Sequence, residues 1–323
     1  MKHYFNFLLE GKNIFFIWLL FLAFFVPPYV LITVSVKDIR PELGTSLLIV
    51  LAFLLLCLVA FVFVFYIQKL VIEGLQYKDK TLFFNGSFGK YFGKVLLGYL
   101  LSIITLGIYM AWFIKDIYSF FIDNTSYNSN NFQFKAQGGK LFLLILLLVF
   151  LPMLVVSIIM YSGFSLNLAA NFNGQLTLFT IVNQIIVLII MIPFYYLFYK
   201  WMINISYKDM KITWKTEFWP SCGKIASEIL LSVITVGIYY PLALVRLYKY
   251  FTEKTIASGN NRELKFAYDA DQAGDFLFIW GQILLTIITL SIYYPWALCK
   301  ITKRILSKTY VEESSPEQGF VQL

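Results

Sequence analysis

Four stretches of the chain carry no charged residue and are long enough to be single apolar helices: Ile14 to Val36, Thr45 to Gln68, Leu141 to Ser162 and Leu176 to Tyr199. Each reaches the roughly 20 residues that cross a bilayer's hydrocarbon core, so all four are predicted membrane helices. Three further apolar stretches, Val95 to Ile114, Ile229 to Val245 and Phe276 to Cys299, share a phrase. It reads Thr105-Leu106-Gly107-Ile108-Tyr109, then Thr235-Val236-Gly237-Ile238-Tyr239, then Thr289-Leu290-Ser291-Ile292-Tyr293. Glycine costs about 1 kcal/mol inside a helix, β-branched neighbours crowd the turn, and Pro241 and Pro295 lack a backbone donor. Gly107, Gly237, Pro241 and Pro295 are therefore candidate helix breaks, with the sharpest bend expected in the second copy. Between the helices, Leu82-Phe83-Phe84, Phe132-Gln133-Phe134, Ile212-Thr213-Trp214 and Leu264 to Tyr268 read as four short strands, most of them alternating with period two. Asn128 to Asn131 and Ser258 to Asn261 supply turns.

The chain repeats itself. Tyr77-Lys78-Asp79 returns as Tyr207-Lys208-Asp209 at the same offset that relates Thr105 to Thr235, which marks a tandem duplication. The division expected is residues 1–130 as membrane repeat 1, 131–260 as membrane repeat 2, 261–310 as a partial third repeat, and 311–323 as a disordered tail rich in glutamate and serine.

Composition fixes the solvent: 59% of residues are hydrophobic, 14% are charged and mean hydropathy is +0.74. The first apolar stretch exceeds a signal-peptide core and is interrupted by Pro27-Pro28, so it reads as a retained helix. Charge then chooses between topologies. Seven spans would divide the 26 Lys and Arg almost evenly between the two sides, whereas three elements that enter and leave on one side leave only Lys37 and Arg40 outside. The fold class expected is an all-α integral membrane protein with tandem repeats. It has four transmembrane helices, three helix-break-helix elements that are re-entrant or interfacial, and a small cytoplasmic β layer; seven transmembrane helices is the alternative. Both termini are placed in the cytoplasm.

Candidate chemistry is sparse. Cys57, Cys222 and Cys299 have no metal-ligand spacing, His3 stands alone, and no nucleophile motif or phosphate loop occurs, so no enzyme activity, cofactor or metal is predicted. The net charge of +8 is dispersed over loops, which argues against a nucleic-acid partner. Aligning the copies at their threonines yields a polar stripe at helical spacing: Ser102 and Thr105; Glu228, Ser232 and Thr235; Gln282, Thr286 and Thr289. Glu228 has two readings: a carboxylate lining a path, or a structural charge paired with Lys224 one turn away. Asp116, Arg246 and Lys300 share another column and are candidate inter-repeat charges, with solvated surface charge as the ordinary reading.

The phrase T-L-G-I-Y-x-x-W resembles the signature of the YjgN family of uncharacterised bacterial inner-membrane proteins. It is carried here by Phe84, Gly86, Thr105 to Trp112, Asn124-Thr125 and Phe132 to Phe134, then Thr235 to Pro241 and Thr289 to Ala297. Leu242, where the motif has tryptophan, and Trp214-Lys215-Thr216 depart from it. The resemblance implies an inner-membrane location and no established activity. Two functions follow from the pattern: a non-catalytic membrane scaffold or assembly partner, or a small-solute or ion transporter using the Gly/Pro-broken helices. The partners expected are the lipid bilayer, including anionic lipids, and another protein or a second copy of the chain.

Overall fold

The computed structural model describes residues 2–35, 43–165, 175–259 and 262–314. The long apolar stretches form helices α1 (Gly11–Ser35), α2 (Leu43–Gly74), α5 (Gly138–Ile145), α6 (Leu151–Ser165) and α7 (Gln175–Met202). A π turn, Leu146–Phe150, joins α5 to α6, so that four described helices are long and apolar enough to cross a membrane. The three phrase-bearing stretches are not continuous helices. Each is a pair: α3 (Phe88–Ile104) with α4 (Met110–Asp123), α8 (Phe218–Ile234) with α9 (Tyr240–Glu253), and α10 (Gln272–Ile288) with α11 (Tyr294–Leu306). At 1.5 Å per residue the 17-residue helices are about 25 Å long, short of a roughly 30 Å hydrocarbon core.

The expectation of an all-α protein with a small β layer is overturned. Among the described residues eleven strands lie between the helix pairs: β1 (Lys2–Phe7), β2 (Leu75–Tyr77), β3 (Lys80–Thr81), β4 (Phe83–Phe84), β5 (Thr125–Tyr127), β6 (Asn130–Phe134), β7 (Asn204–Tyr207), β8 (Met210–Trp214), β9 (Thr255–Gly259), β10 (Arg262–Tyr268) and β11 (Thr309–Ser314). They form one eleven-stranded sheet in the order β3-β2-β1-β11-β10-β9-β8-β7-β6-β5-β4, antiparallel wherever a register is described. Its end strands β3 and β4 are separated in the chain only by Leu82. The segments read as four strands are β4, β6, β8 and β10. Of the other strands, β2, β3, β5 and β7 are two to four residues long, too short for a period-two pattern to stand out, while β1, β9 and β11 were not foreseen at five or six residues.

The turns have a local cause. Lys78 and Asp79, like Asn128 and Ser129, take φ of 46°, 61°, 49° and 63°, the left-handed pair of a two-residue hairpin loop whose twist suits antiparallel strands. The repeated Tyr-Lys-Asp is thus a hairpin signal. Val311, read as the start of a disordered tail, pairs with His3 in β11; residues 315–323 lie outside the described residues. So do Asn260-Asn261, Lys37, Arg40 and most of the loop Gly163 to Gln175.

The chain divides into two compact units. One comprises residues 1–97, 120–132 and 267–312. In it Phe7, Leu9, Ile14 and Cys299 form a buried cluster under α1, α2 and α11, and Phe65, Phe84, Tyr91 and Phe120 pack ring against ring. The other comprises 98–119, 133–266 and 313–323. Its core is Tyr196, Trp214, Cys222 and Ile225, with Trp201 set edge-on to Phe134 and Tyr118. The last residue of the strand that feeds each helix pair is a buried aromatic: Phe7, Phe84, Phe134, Trp214 and Tyr268. These rings seat each helix pair on its strand.

Candidate functional site

The break is the same construction three times. Leu106 and Gly107 have φ of 50° and 89°, Val236 and Gly237 50° and 84°, Leu290 and Ser291 49° and 70°. Each first helix ends in paired backbone bonds, for example Leu106 N–H to the Ile103 carbonyl at 3.1 Å and Gly107 N–H to the Ser102 carbonyl at 2.7 Å, the closing pattern of a left-handed helix cap. The second break is therefore no sharper than the others, contrary to expectation, because the cap bonds and not the glycine set the geometry. Threonine completes it. Thr105, Thr235 and Thr289 each donate to the carbonyl four residues back at 2.7 Å and accept from the N–H of Tyr109, Tyr239 and Tyr293 at 3.0, 3.0 and 3.1 Å. One hydroxyl thus satisfies the free N–H that opens the second helix and adds a bond to a carbonyl that the threonine's own N–H already reaches in the first. Pro241 and Pro295 lie at the start of α9 and α11, where a missing N–H costs nothing. They begin the second helix.

The polar stripe is closed on itself. Ser102, Ser232 and Thr286 donate to their own helix carbonyls at Gly98, Glu228 and Gln282, at 2.7, 2.8 and 2.8 Å. Glu228, 1% exposed, takes Lys224 Nζ at 2.5 Å on Oε1 and the Tyr239 hydroxyl at 2.7 Å on Oε2. Arg246 Nη1 in turn donates to the Tyr239 hydroxyl at 2.7 Å. The third copy restates the column without charge at its foot: Lys300 Nζ to the Tyr293 hydroxyl at 2.8 Å, and that hydroxyl to Gln282 Oε1 at 3.0 Å. In the first copy Gly98 stands at this position, and a Cβ there would run into the Phe113 ring. Phe113 is replaced by Ala243 and Ala297 in the other copies, both buried, which makes room for Glu228 and Gln282. Asp116 lies 3.2 Å from Lys115, so Asp116, Arg246 and Lys300 each find a partner within their own hairpin.

A second column, two turns deeper, was missed by sequence reasoning. Fourteen residues before each threonine stand Tyr91, Ser221 and Asp275, all fully buried, and fifteen after stand Phe120, Tyr250 and Arg304. They meet as ring on ring with centroids 5.5 Å apart, hydroxyl on hydroxyl at 2.8 Å, and carboxylate on guanidinium at 2.7 Å. The helices of a hairpin are pinned by one contact whose chemistry changes from aromatic to ionic. Asp275 also accepts from Lys308 Nζ at 2.5 Å and the Tyr268 hydroxyl at 2.7 Å. Desolvation pushes this carboxyl up, but the bonds from Lys308, Tyr268 and Arg304 outweigh it and hold its pKa below the usual value. Twenty residues after each phrase threonine comes another, Thr125, Thr255 and Thr309, donating to the carbonyl four residues back. The strand-hairpin-strand unit is present three times among the described residues.

Trp112 and Trp296, the tryptophans of the phrase, each cover a glycine at the start of a long apolar helix. A Cβ on Gly138 would lie 2.7 Å from Trp112, and one on Gly11 would lie 2.6 Å from Trp296. Phe142 and Phe15, one turn on, take the other side of each indole. Among the described residues no group of three or more His, Cys, Asp and Glu is placed to hold a metal ion.

Residues 1–274 match the family described as bacterial protein of unknown function, DUF898. The chain belongs to this family. It is 36% identical over 100 residues to the inner membrane protein YjgN of Salmonella typhimurium, an overlap of 30% of this chain and 25% of that protein. It is 31% identical over 80 residues to the inner membrane protein YjgN of Escherichia coli K12, covering 25% of this chain and 20% of that one. The match thus spans a quarter or less of the length of these relatives. The YjgN resemblance read from the repeated phrase is shown, and with four long apolar helices the chain is a membrane protein of unknown role. No solved structure matches it.

Proposed function

We propose that the chain is a non-catalytic membrane scaffold. The observation that carries this reading is the closed polar stripe: its hydroxyls are spent on their own helix backbones, and Glu228 is neutralised by Lys224 and held by Tyr239. A path for ions or solutes needs polar groups turned toward it, whereas the hydroxyl protons of this column are spent on its own helices and Glu228 is held by Lys224 and Tyr239. In the proposed topology four helices span the inner membrane, three hairpins re-enter from the cytoplasmic side, and both termini are cytoplasmic. The hairpin tips support re-entry. Leu106, Val236 and Leu290 are 94%, 91% and 85% exposed in a left-handed conformation that glycine would adopt without strain. An apolar side chain held at that cost in all three copies is explained by a tip that sits in hydrocarbon. The partners of this reading are the bilayer, anionic head groups, and another protein or a second copy of the chain.

The test is flux. Vesicles reconstituted with the purified protein should leak protons and potassium no faster than empty vesicles across pH 5 to 8. A pH-dependent flux abolished by Glu228→Gln would replace the scaffold with a transporter.

A further inference from the structure

The two pairs of long helices are built alike, but most of the lysines at their feet stand at different positions. Leu8 N–H bonds to the Gly74 carbonyl and Lys135 N–H to the Asn204 carbonyl, both at 2.8 Å, which fixes the equivalence between them. Beside the second pair lies a cavity of about 970 Å³ in which Lys135, Lys140, Lys200, Lys208 and Lys211 face a single acid, Asp209. In the first pair the positions of Lys135, Lys140, Lys200 and Lys211 are held by Leu8, Asn13, Leu70 and Thr81. At these four positions the fold does not need the charge, whereas Lys208 is matched by Lys78. Among the described residues none of the five lysines is in an ion pair.

Behind the cavity's surface, two lining residues carry unmet polar groups. Trp214 Nε1 and Asn204 Oδ1, both from lining residues, are buried without a hydrogen-bond partner, and an orphan indole N–H is an unmet donor. One wall is apolar: Leu143 and Leu144 near the start of the third long helix, and Leu197 near the end of the fourth. Lysines converging on a hollow that opens onto apolar helix ends match a ligand with an anionic phosphate at one end and hydrocarbon at the other.

We propose that this cavity binds the phosphate head group of an anionic phospholipid, its acyl chains lying along Leu143, Leu144 and Leu197. Lys140, Lys200 and Lys211 surround the phosphate. The inference names a lipid partner for the scaffold and rests on that reading only for the leaflet from which the lipid comes. Binding in detergent is independent of the leaflet and of flux, so either proposal can fail alone.

The test is lipid retention by native mass spectrometry of the full-length protein in detergent. Phosphatidylglycerol, phosphatidylcholine and inorganic phosphate are titrated separately, against wild type, the triple variant K140Q/K200Q/K211Q and the single variant Lys211→Gln. One tightly retained phosphatidylglycerol is expected, at least tenfold stronger than phosphatidylcholine or phosphate. That preference should fall at least tenfold in the triple variant and about threefold in Lys211→Gln. The single variant changes one exposed side chain, so it reports even if the triple variant fails to fold. Equal retention of the two lipids, phosphate binding as strong as phosphatidylglycerol, or an unchanged preference in both variants would overturn the proposal.

Discussion

Asp275 is the most highly coordinated carboxylate in its unit, and Asp275→Asn tests whether the pinned column holds a hairpin together. The native side chain is 0% exposed and accepts from Arg304, Lys308 and Tyr268 at 2.7, 2.5 and 2.7 Å. Asparagine keeps the shape and one acceptor but removes the charge that made two of these bonds strong. Hydrogen bonds to charged groups contribute about 1.5 to 3 kcal/mol each. Arg304 and Lys308 retain 29% and 25% side-chain exposure and rehydrate in part, which lowers the net loss to about 2–3 kcal/mol. At roughly 2 °C per kcal/mol for a chain of this size, Tm in detergent should fall by about 4–6 °C. The pH dependence has a definite sign. The folded pKa lies below the unfolded value near 4, so the contribution is complete above about pH 4 and is lost as pH falls through the folded value. The gap between wild type and variant should be constant from about pH 5 to 7 and shrink in acid. An unchanged Tm at neutral pH, or a gap that widens in acid, would refute the reasoning.

Three other changes probe the repeat. Thr235→Val removes the hydroxyl that caps both helices of its hairpin and should cost about 1 kcal/mol by thermal unfolding, as should Thr105→Val and Thr289→Val. Ala243→Phe should destabilise strongly because the ring meets Glu228, while Glu228→Gly with Ala243→Phe recreates the Gly98 and Phe113 pairing of the first copy; a double-mutant cycle should show coupling above about 1 kcal/mol, and additive losses would deny the equivalence. Gly138→Ala and Gly11→Ala should each lower Tm, since the new methyl would lie within 2.7 Å of an indole, whereas Gly139→Ala meets nothing and should be neutral or slightly stabilising.

Much of this architecture was legible because it is written in long apolar runs and a repeated phrase. Helices of about 20 apolar residues leave little room for another reading, and the pairing of Glu228 with Lys224 followed from helical spacing alone. The sheet was not legible to its full extent. Strands as short as Lys80–Thr81 carry no periodicity, and their pairing depends on helix pairs that bring distant residues together, as with His3 and Val311. Asp275 was missed for the same reason, since Arg304 and Lys308 lie on the far arm of the hairpin. The relative sharpness of the three breaks was misjudged because glycine was taken as the cause of the bend. Ser291 reaches a left-handed φ of 70° with the same cap bonds, so the turn is dictated by backbone hydrogen bonds and the threonine. Tryptophan in the phrase, read only as part of a motif, acts as a lid over a glycine at the foot of a long helix.

The claim that three hairpins enter and leave on one face is tested most directly by labelling single cysteines in intact cells with a membrane-impermeant reagent, the native cysteines having been replaced. Cysteines at Lys78, Lys135, Lys208, Lys265 and Lys308 should all be protected, while those at Asp38 and Asn171 are labelled. Labelling of the Lys135, Lys208 and Lys308 positions, with Asn171 protected, would mean seven spans and would contradict the re-entrant scaffold.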